Sequence, residues 1–410
     1  LNTLIVVNLI LMKEFNLKVA NDNGNSEHKI YINDELIVQP NVYAKVRKLP
    51  LFDDVNIKKA FANIQDNLIV SIDSPSVDTA GTYYIGNYAI ASGLLLKNIE
   101  VGAINTKYES DIPIINTLAR IAGYAAQKAY AEDNKVGEIL VNVDMVTALP
   151  VKQYSRKTAN LFASQFLSGP HKVSVIAGAI KIHITINFDY VKVLPESVPS
   201  VFYLQSLDRG SEVTKEFFEK YNLQKESNYF KNKKILHCAI GEGTTEYPLT
   251  KDIEFDPNFI EGTDNGIGHA IDRVLNDFIE YNHLSKFSRQ EYSNALRNKK
   301  HKYHNDALDR IYNELSSEAD MILRNIKAQV SKANNDVDII MCHGGGTILL
   351  KEHMYDSLMD FSEKTNVKVF FVPENEAITL EVKGLNVFLK SRIFEALKNK
   401  YIKNKSSIAQ

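Results

Sequence analysis

Two short runs of small residues, far apart in the chain, each follow a segment that reads as a strand, and this repetition constrains the fold more than any other feature. The first is Asn21-Asp22-Asn23-Gly24-Asn25-Ser26, between residues 15–20 and 28–32; the second is Gly241-Glu242-Gly243-Thr244-Thr245-Glu246, after residues 234–240. Alternation with period two marks a strand with one buried face. Asn-Gly between two such segments predicts a tight hairpin whose turn residues tolerate positive φ. Another turn at Asn33-Asp34 leads into residues 35–38, so the chain opens as a three-stranded meander.

The rest of the chain alternates strand and helix patterns, which predicts an α/β protein. Residues 39–106 are mixed and include the Tyr- and Gly-rich stretch 81–93, which predicts a small inserted subdomain. Pro113 sits in the first turn of a helix from Asp111, with Ile114, Leu118, Ile121 and Ala125 on one face. Strands are expected at 136–147, 173–176, 181–188 and 190–193. The pattern then restarts at 234. After Pro257, Ile267, Ile271, Val274, Phe278, Leu308, Ile311, Leu315, Ile322 and Ile326 keep helical spacing through a second insertion. A strand at 336–342 reaches a third small-residue turn, His343-Gly344-Gly345-Gly346-Thr347, followed by a helix from Ile348 and a strand at 367–372. Residues 385–403 close the chain as an amphipathic helix.

Composition removes several classes of function. With 48 basic and 50 acidic side chains the net charge is -2, so no global field draws a polyanion and any contact with DNA is indirect. Two cysteines, Cys238 and Cys342, make no disulfide framework and fit a reducing cytoplasm. The longest apolar run, residues 4–12, is interrupted by Asn8 and falls short of the roughly 20 residues of a spanning helix. Its basic residues come after it, unlike a secretory signal, so a cytoplasmic protein without a membrane span is expected. Leu1 precedes a Met12-Lys13 pair, so the first eleven residues are expected to be dispensable or to reflect an unusual start.

Residues without bulky side chains let backbone N–H groups approach an anion, and Thr or Ser hydroxyls add donors. Two such turns facing each other can hold a polyphosphate. Asp22 beside that anion makes sense if a divalent metal lies between them, held through waters. Asp22 and Asn23 equally suit the hairpin turn itself. Neither GxxxxGK[ST] nor a strand-to-helix GxGxxG occurs, so a nucleotide site here is of another kind.

Together these segments resemble the superfamily of actin, heat-shock chaperone ATPases and sugar kinases, and within it the actin-like plasmid-segregation proteins of the ParM type. The resemblance runs from about residue 15 to 392. Its first phosphate loop is Asp22-Asn23-Gly24-Asn25-Ser26, its second Ile240-Gly241-Glu242-Gly243-Thr244-Thr245-Glu246, and its adenosine motif the Gly344-Gly345-Gly346 turn with Thr347. Tyr83-Tyr84-Ile85-Gly86-Asn87-Tyr88-Ala89 and Val193-Leu194-Pro195-Glu196-Ser197 resemble segments of the plasmid-segregation branch. The resemblance implies an actin-like fold, two RNase H-like domains with inserted subdomains around a nucleotide cleft. Residues 12–232 would form domain I, with its insertion at about 39–106; residues 233–375 would form domain II, with a helical insertion at about 258–334; residues 376–410 would return to domain I.

The cleft would hold ATP or GTP, with ADP or GDP as product, and Mg2+ at Asp22. Asn23, Gly24, Asn25, Ser26, Gly241, Gly243, Thr244 and Thr245 would cradle the phosphates, with Gly344, Gly345, Gly346 and Thr347 at the nucleoside. Glu196 would orient the attacking water, although an exposed Glu in a Pro-containing turn is the plain alternative. The partners implied are further copies of the chain in a filament and a centromere-binding adaptor of the ParR type, which would make the DNA contact.

One position departs from the family. Its second phosphate motif begins with Asp before the Ile-Gly pair, and here that place is Ala239. Loss of such a group spares affinity and lowers rate, because it acts mainly in the transition state. Impaired hydrolysis is therefore expected. A metabolite kinase of the same superfamily and a non-hydrolysing nucleotide-binding scaffold stay open as alternatives. His237-Cys238 and Cys342-His343 tempt a metal reading, but neighbours on a strand face opposite ways, and buried packing is favoured. The basic stretch 286–304 suits a solvated helix face, a nucleotide or filament contact, or DNA. Asp264 or Asn265 is a candidate N-cap for the helix that follows.

Overall fold

In a computed structural model of the chain, which describes residues 12–49, 56–78, 80–99, 106–133, 137–208, 210–224 and 228–408, the opening meander is present. The strand Lys13–Asn23 pairs antiparallel with Glu27–Ile32, and that strand with Glu35–Pro40. On its other side Lys13–Asn23 runs parallel to Glu138–Leu149, which runs parallel to Ile180–Pro195. The apolar run at residues 4–12 lies, except for Met12, outside the described residues.

The sequence suggested two strands at 181–188 and 190–193. They are one strand, Ile180–Pro195, with a register shift between Phe188 and Tyr190 that leaves Asp189 as the extra residue. A bulge of this kind breaks the alternation pattern without ending the strand. His171–Ala177 pairs with the other edge and carries Ile69–Asp73, Gly81–Ile85, Val42–Val46 and Lys97–Asn98, so strands from the 39–106 segment continue the same sheet. Among the described residues this sheet has ten strands. The helix Ile112–Asp133 buries Ile114, Leu118, Ile121 and Ala125 against it, the face its sequence spacing predicted.

A second sheet is built around Lys234–Ile240. This strand runs parallel to Ile339–His343, and that strand runs parallel to Lys368–Phe371. The helical region beyond it is three helices, Ile267–Tyr281, Arg289–Arg297 and His304–Lys332. The chain reverses at Asn282 and His283, where His283 takes φ 51, and restarts at Ser288, whose side chain caps the next helix in a capping box. Neither Asp264 nor Asn265 caps the first of these helices. Gly266 is its N-cap, without a side-chain hydrogen bond, and the Asn265 amide instead donates to Glu318 Oε2 at 3.2 Å.

The C-terminal segment, expected as one helix, is two: Leu380–Leu389 and Arg392–Ile408. Ser391 makes the break by accepting the Phe394 N–H at 3.2 Å, and Leu385, Phe388, Leu389 and Phe394 remain in one buried cluster with Ala20, Val146 and Tyr190 of the first sheet. No helix among the described residues is long and apolar enough to cross a membrane.

The helix Leu380–Leu389 lies closely on Val198–Ser206, the helix that begins just after Glu196. Gly384 makes that approach possible, because a Cβ there would sit 1.9 Å from the Pro199 carbonyl oxygen. A helix carbonyl cannot yield by rotating a side chain. Gly384→Ala is therefore expected to cost roughly 1–3 kcal/mol or more in overpacking, read as a lower thermal midpoint by circular dichroism; an unchanged midpoint would show that the two helices can part freely.

Candidate nucleotide site

The two small-residue runs are hairpins of the same construction. Gly24 N–H donates to Glu27 O at 3.0 Å, and Gly241 N–H donates to Thr244 O at 2.9 Å, so each closes across two residues. Positive φ, the property the Asn-Gly pair suggested, is not used, for neither Asn23 nor Gly24 lies in that region. Gly24 supplies space instead: a Cβ there would meet the Glu27 carbonyl oxygen at 2.9 Å.

Counting outward from the closures, Asp22 and Ala239 occupy the same place. So do their cross-strand partners, Lys29 opposite Asp22 and Glu246 opposite Ala239. The tips of the two hairpins meet, Ser26 hydrogen-bonding to Glu242, whose carboxyl is pushed up chiefly by burial. Arg297, on the helix Arg289–Arg297, donates to Glu27 Oε1 at 2.7 Å and ties that helix to the first hairpin. The basic stretch is thus partly spent on ion pairs, since Arg289 also pairs with Asp272.

The third run is not a turn. Gly344 alone bends the chain, at φ 91, and the helix Gly345–Thr365 starts directly after it. Gly346 lets that helix pack on the second hairpin, since a Cβ there would lie 2.5 Å from Ile240 Cγ2. The first turn of the helix has no side-chain cap; the Thr347 N–H is taken by the Gly344 carbonyl at 3.1 Å, and the N–H groups of Gly345 and Gly346 are those a hydroxyl or anion could meet.

A cavity of about 250 Å³ lies where these parts converge. Asp22, Asn23, Gly24, Asn25, Glu196, Ala239, Gly241, Thr244, Gly344 and Gly345 line it, brought together from both sheets. Ser26, Gly243, Thr245, Gly346 and Thr347 do not. Ser26 faces an adjoining cavity beside Glu27 and Arg297, Gly243 offers its carbonyl to His269 at 3.0 Å, Thr245 donates to the Asn265 carbonyl at 2.7 Å, and Thr347 donates to the His343 carbonyl at 2.7 Å.

Besides Lys152 and Glu242, four charged residues at the cavity carried no role in the sequence reading. Lys29 Nζ stands 3.4 Å from Asp22 Oδ2, and Lys107, almost wholly buried, binds Glu196 Oε1 at 2.6 Å. Glu381, from the helix Leu380–Leu389, accepts the Ser197 N–H at 3.0 Å, and its carboxyl is held well above the ordinary range by burial and by the charges of Asp22 and Glu196. Glu246 is buried, and its carboxyl is pushed up to about 8 by burial and then by Glu196, against the opposing pull of Lys152, the Val151 N–H and Lys107. Of the four, only Glu246 stood inside a quoted motif; lone lysines and a glutamate on an amphipathic helix carry no spacing signal.

His343 also lines the cavity, and burial pushes its pKa down to about 3, so it stands there as a neutral ring. His237 bonds Thr250 Oγ1 at 3.0 Å inside the sheet. Among the described residues no three His, Cys, Asp or Glu side chains converge as a complete metal ligand set. A cation such as Mg2+, which keeps several waters and leans on phosphate oxygens, does not need one. Asp22 and the Glu246 Oε2 atom, buried without a hydrogen-bond partner, fit such a hydrated ion.

Residues 20–198 match the family described as actin-like proteins, N-terminal domain. Among solved structures the chain is similar to the actin-like protein Alp7A, at 18% identity and a TM-score of 0.67 over 96% of this chain and 100% of that one. It is also similar to Bacillus thuringiensis ParM with ATP, at 18% identity and a TM-score of 0.56 over 93% and 99% of the two chains. A non-polymerisable quadruple mutant of pCBH ParM matches at 15% identity with a TM-score of 0.56 over 91% and 99%. No curated protein matches the sequence. The resemblance drawn from the motifs is borne out, and the fold is actin-like.

The raised Glu246 carboxyl has a measurable consequence. Its folded value of about 8 lies above its ordinary 4.5, so the folded chain holds a proton that the unfolded chain gives up. The group's contribution to stability is complete below the ordinary value and is lost as pH rises towards the folded one. Glu246→Gln is neutral throughout. Its thermal midpoint relative to the wild type is expected to rise between about pH 5 and pH 8; a pH-independent offset would contradict this.

Proposed function

We propose, from the actin-like fold and the actin-like N-terminal domain at residues 20–198, that this protein is a nucleotide-dependent filament protein of the plasmid-segregation type. One observation carries the reading: two hairpins closed by the same hydrogen bond, one from each sheet, meet at a single cavity beside an uncapped helix N-terminus. Backbone N–H groups of Asn25 and Thr244 are donors such a cavity offers to a polyphosphate, while those of Gly24 and Gly241 are held in the hairpin closures. The similar ParM structure with ATP supports a purine triphosphate, ATP or GTP, as the ligand.

A bound Mg2+ would supply positive charge between the phosphates and polarise its waters. Asp22 would hold that water shell, with Lys29 steadying its carboxylate. Glu196 would orient the attacking water, and Lys107 fixes its direction from within the same domain. Hydrolysis of this type rests on positioning and electrostatics. With a methyl group at Ala239 the second hairpin lacks the carboxylate that its counterpart Asp22 gives the first, so turnover is slow while affinity is kept. Contact of both hairpin tips with one ligand couples its phosphates to the angle between the sheets, and that angle to a head-to-tail contact with the next copy. An adaptor of the ParR type would join the filament to DNA, which suits a net charge of -2.

Light scattering of the purified chain with ATP, with GTP and without nucleotide is expected to rise only with a triphosphate; a monomer under all three conditions would refute the filament. Ala239→Asp is expected to raise phosphate release by on the order of 10²-fold with little change in nucleotide affinity by calorimetry. Equal release rates would remove the account of slow turnover.

A further inference from the structure

Ser197, directly after Glu196, takes φ 71 and ψ -32, a backbone conformation outside even the left-handed helical region and rare for a residue with a Cβ. It opens the helix Val198–Ser206 but does not cap it. A serine at such a place ordinarily turns its hydroxyl onto the N–H groups of the first turn, whereas the Ser197 hydroxyl makes no cap bond and is buried without a partner. The helix gains nothing from the strain. Strained residues of this kind gather at functional sites, where the surroundings hold them in place. We propose that Glu381 is a positioning residue of the hydrolytic site: from the returning helix its carboxyl holds the strained Glu196–Ser197 peptide and so aims Glu196 at the attacking water. The inference rests on the nucleotide-hydrolysing reading above.

Three separate stretches of chain fix Glu196. Its own N–H donates to the Leu149 carbonyl at 2.8 Å, the next N–H, that of Ser197, donates to Glu381 Oε1 at 3.0 Å, and Lys107 Nζ holds the carboxylate at 2.6 Å. The Glu381 bond acts on the strained peptide itself. Because a peptide is a rigid plane, relaxation of Ser197 to an ordinary φ would turn that plane and swing the Glu196 side chain with it.

Both the origin of Glu381 and its charge suit it to this task. It stands in the first turn of Leu380–Leu389, the helix that Gly384 lets approach the Pro199 carbonyl, so its reach to Ser197 is set by close backbone packing. Four residues before it, the Ala377 carbonyl accepts the Gly344 N–H at 3.1 Å, and Ala377, Ile378 and Glu381 all line the cavity. The returning segment is therefore tied to the second sheet at the Gly344 bend and to the end of the first at Ser197. Glu381 Oε2 is buried without a hydrogen-bond partner, so the Ser197 N–H is the bond that orients the carboxyl. Burial, then the charges of Asp22 and Glu196, favour its neutral form. A neutral acceptor holds the Ser197 N–H without setting a third negative charge beside a terminal phosphate.

The test compares Glu381→Gln, Glu381→Asp and Glu381→Leu on the full chain, each also in a Glu196→Ala background. Single-turnover assays read phosphate release from ATP and GTP. Calorimetry reads the affinity for ADP and GDP with Mg2+, without and with aluminium fluoride, which mimics the phosphoryl group in flight. Glu381→Gln keeps the reach and an acceptor, whereas Glu381→Asp keeps the acid and loses the reach. Glu381→Gln is expected to stay within about 2-fold of the wild type, and Glu381→Asp and Glu381→Leu to lower release and the fluoride-dependent gain in affinity roughly 10-fold. Diphosphate affinity without fluoride is expected to change by less than about 2-fold in all three, because a misplaced group costs rate rather than ground-state binding. In the Glu196→Ala background the same changes are expected to matter less than about 2-fold, since a residue acting through another is not additive with it. Loss in Glu381→Gln with Glu381→Asp intact would make Glu381 an acid or base instead. No change in any variant, equal losses in both backgrounds, or a matching fall in diphosphate affinity would likewise overturn the proposal. A wild-type chain that takes up neither triphosphate nor diphosphate would overturn the function itself.

Discussion

Parallel pairing at the centre of each sheet is the interaction on which the site depends. Asn21 is in register with Thr147, and Leu149 with Pro195, so three strands of the first sheet end at one edge and deliver Asp22, the 150–153 loop and Glu196 to the same place. In the second sheet Ala239 is in register with His343, which sets Gly241 beside Gly344. Loops beyond the carboxyl ends of parallel strands are where open α/β sheets bind ligands, because the strand order leaves a crevice there. A shift of one residue in any of these pairs would turn the relevant side chains to the opposite face.

The chemistry of the cleft is a balance of opposed charges held away from water. Asp22 faces Lys29, Glu196 faces Lys107, and Glu381 and Glu246 are carboxyls whose surroundings favour the protonated form. A cavity lined by unopposed carboxylates would repel a triphosphate. The ion-paired Lys29 and Lys107 and two acids whose surroundings favour the neutral form leave the cavity less negative than its carboxyl groups alone would make it. The Arg297–Glu27 pair and the Ser26–Glu242 bond place further polar contacts across the upper cleft, where they depend on the approach of the two sheets.

Much of this was legible because it is local. The segments at 15–20, 28–32 and 234–240 became strands, and the small-residue runs at 21–26 and 241–246 became hairpins, since strand preference and turn chemistry act over a few residues. Local reading failed where a single residue changed the geometry. Asp189 bulged out of a strand that continued, Ser391 divided a helix whose apolar face ran on, and Gly344 turned the chain so sharply that Gly345 to Thr347 became helix. At Gly24 the residue type was legible but its reason was not, for the glycine answers to the nearby Glu27 carbonyl rather than to φ.

By itself the sequence determined the strand and helix types, the two small-residue hairpins, an alanine at 239 and a near-zero net charge that gives no global field for a polyanion. Each of these follows from residue identity and spacing within one segment. Tertiary structure alone decided which segments face one another: that Lys107 grips Glu196, that Glu381 reaches in from the far end of the chain, and that Glu246 lies directly opposite Ala239. Those relations arise from register between strands and from burial among groups distant in sequence, and no periodicity along a chain encodes them.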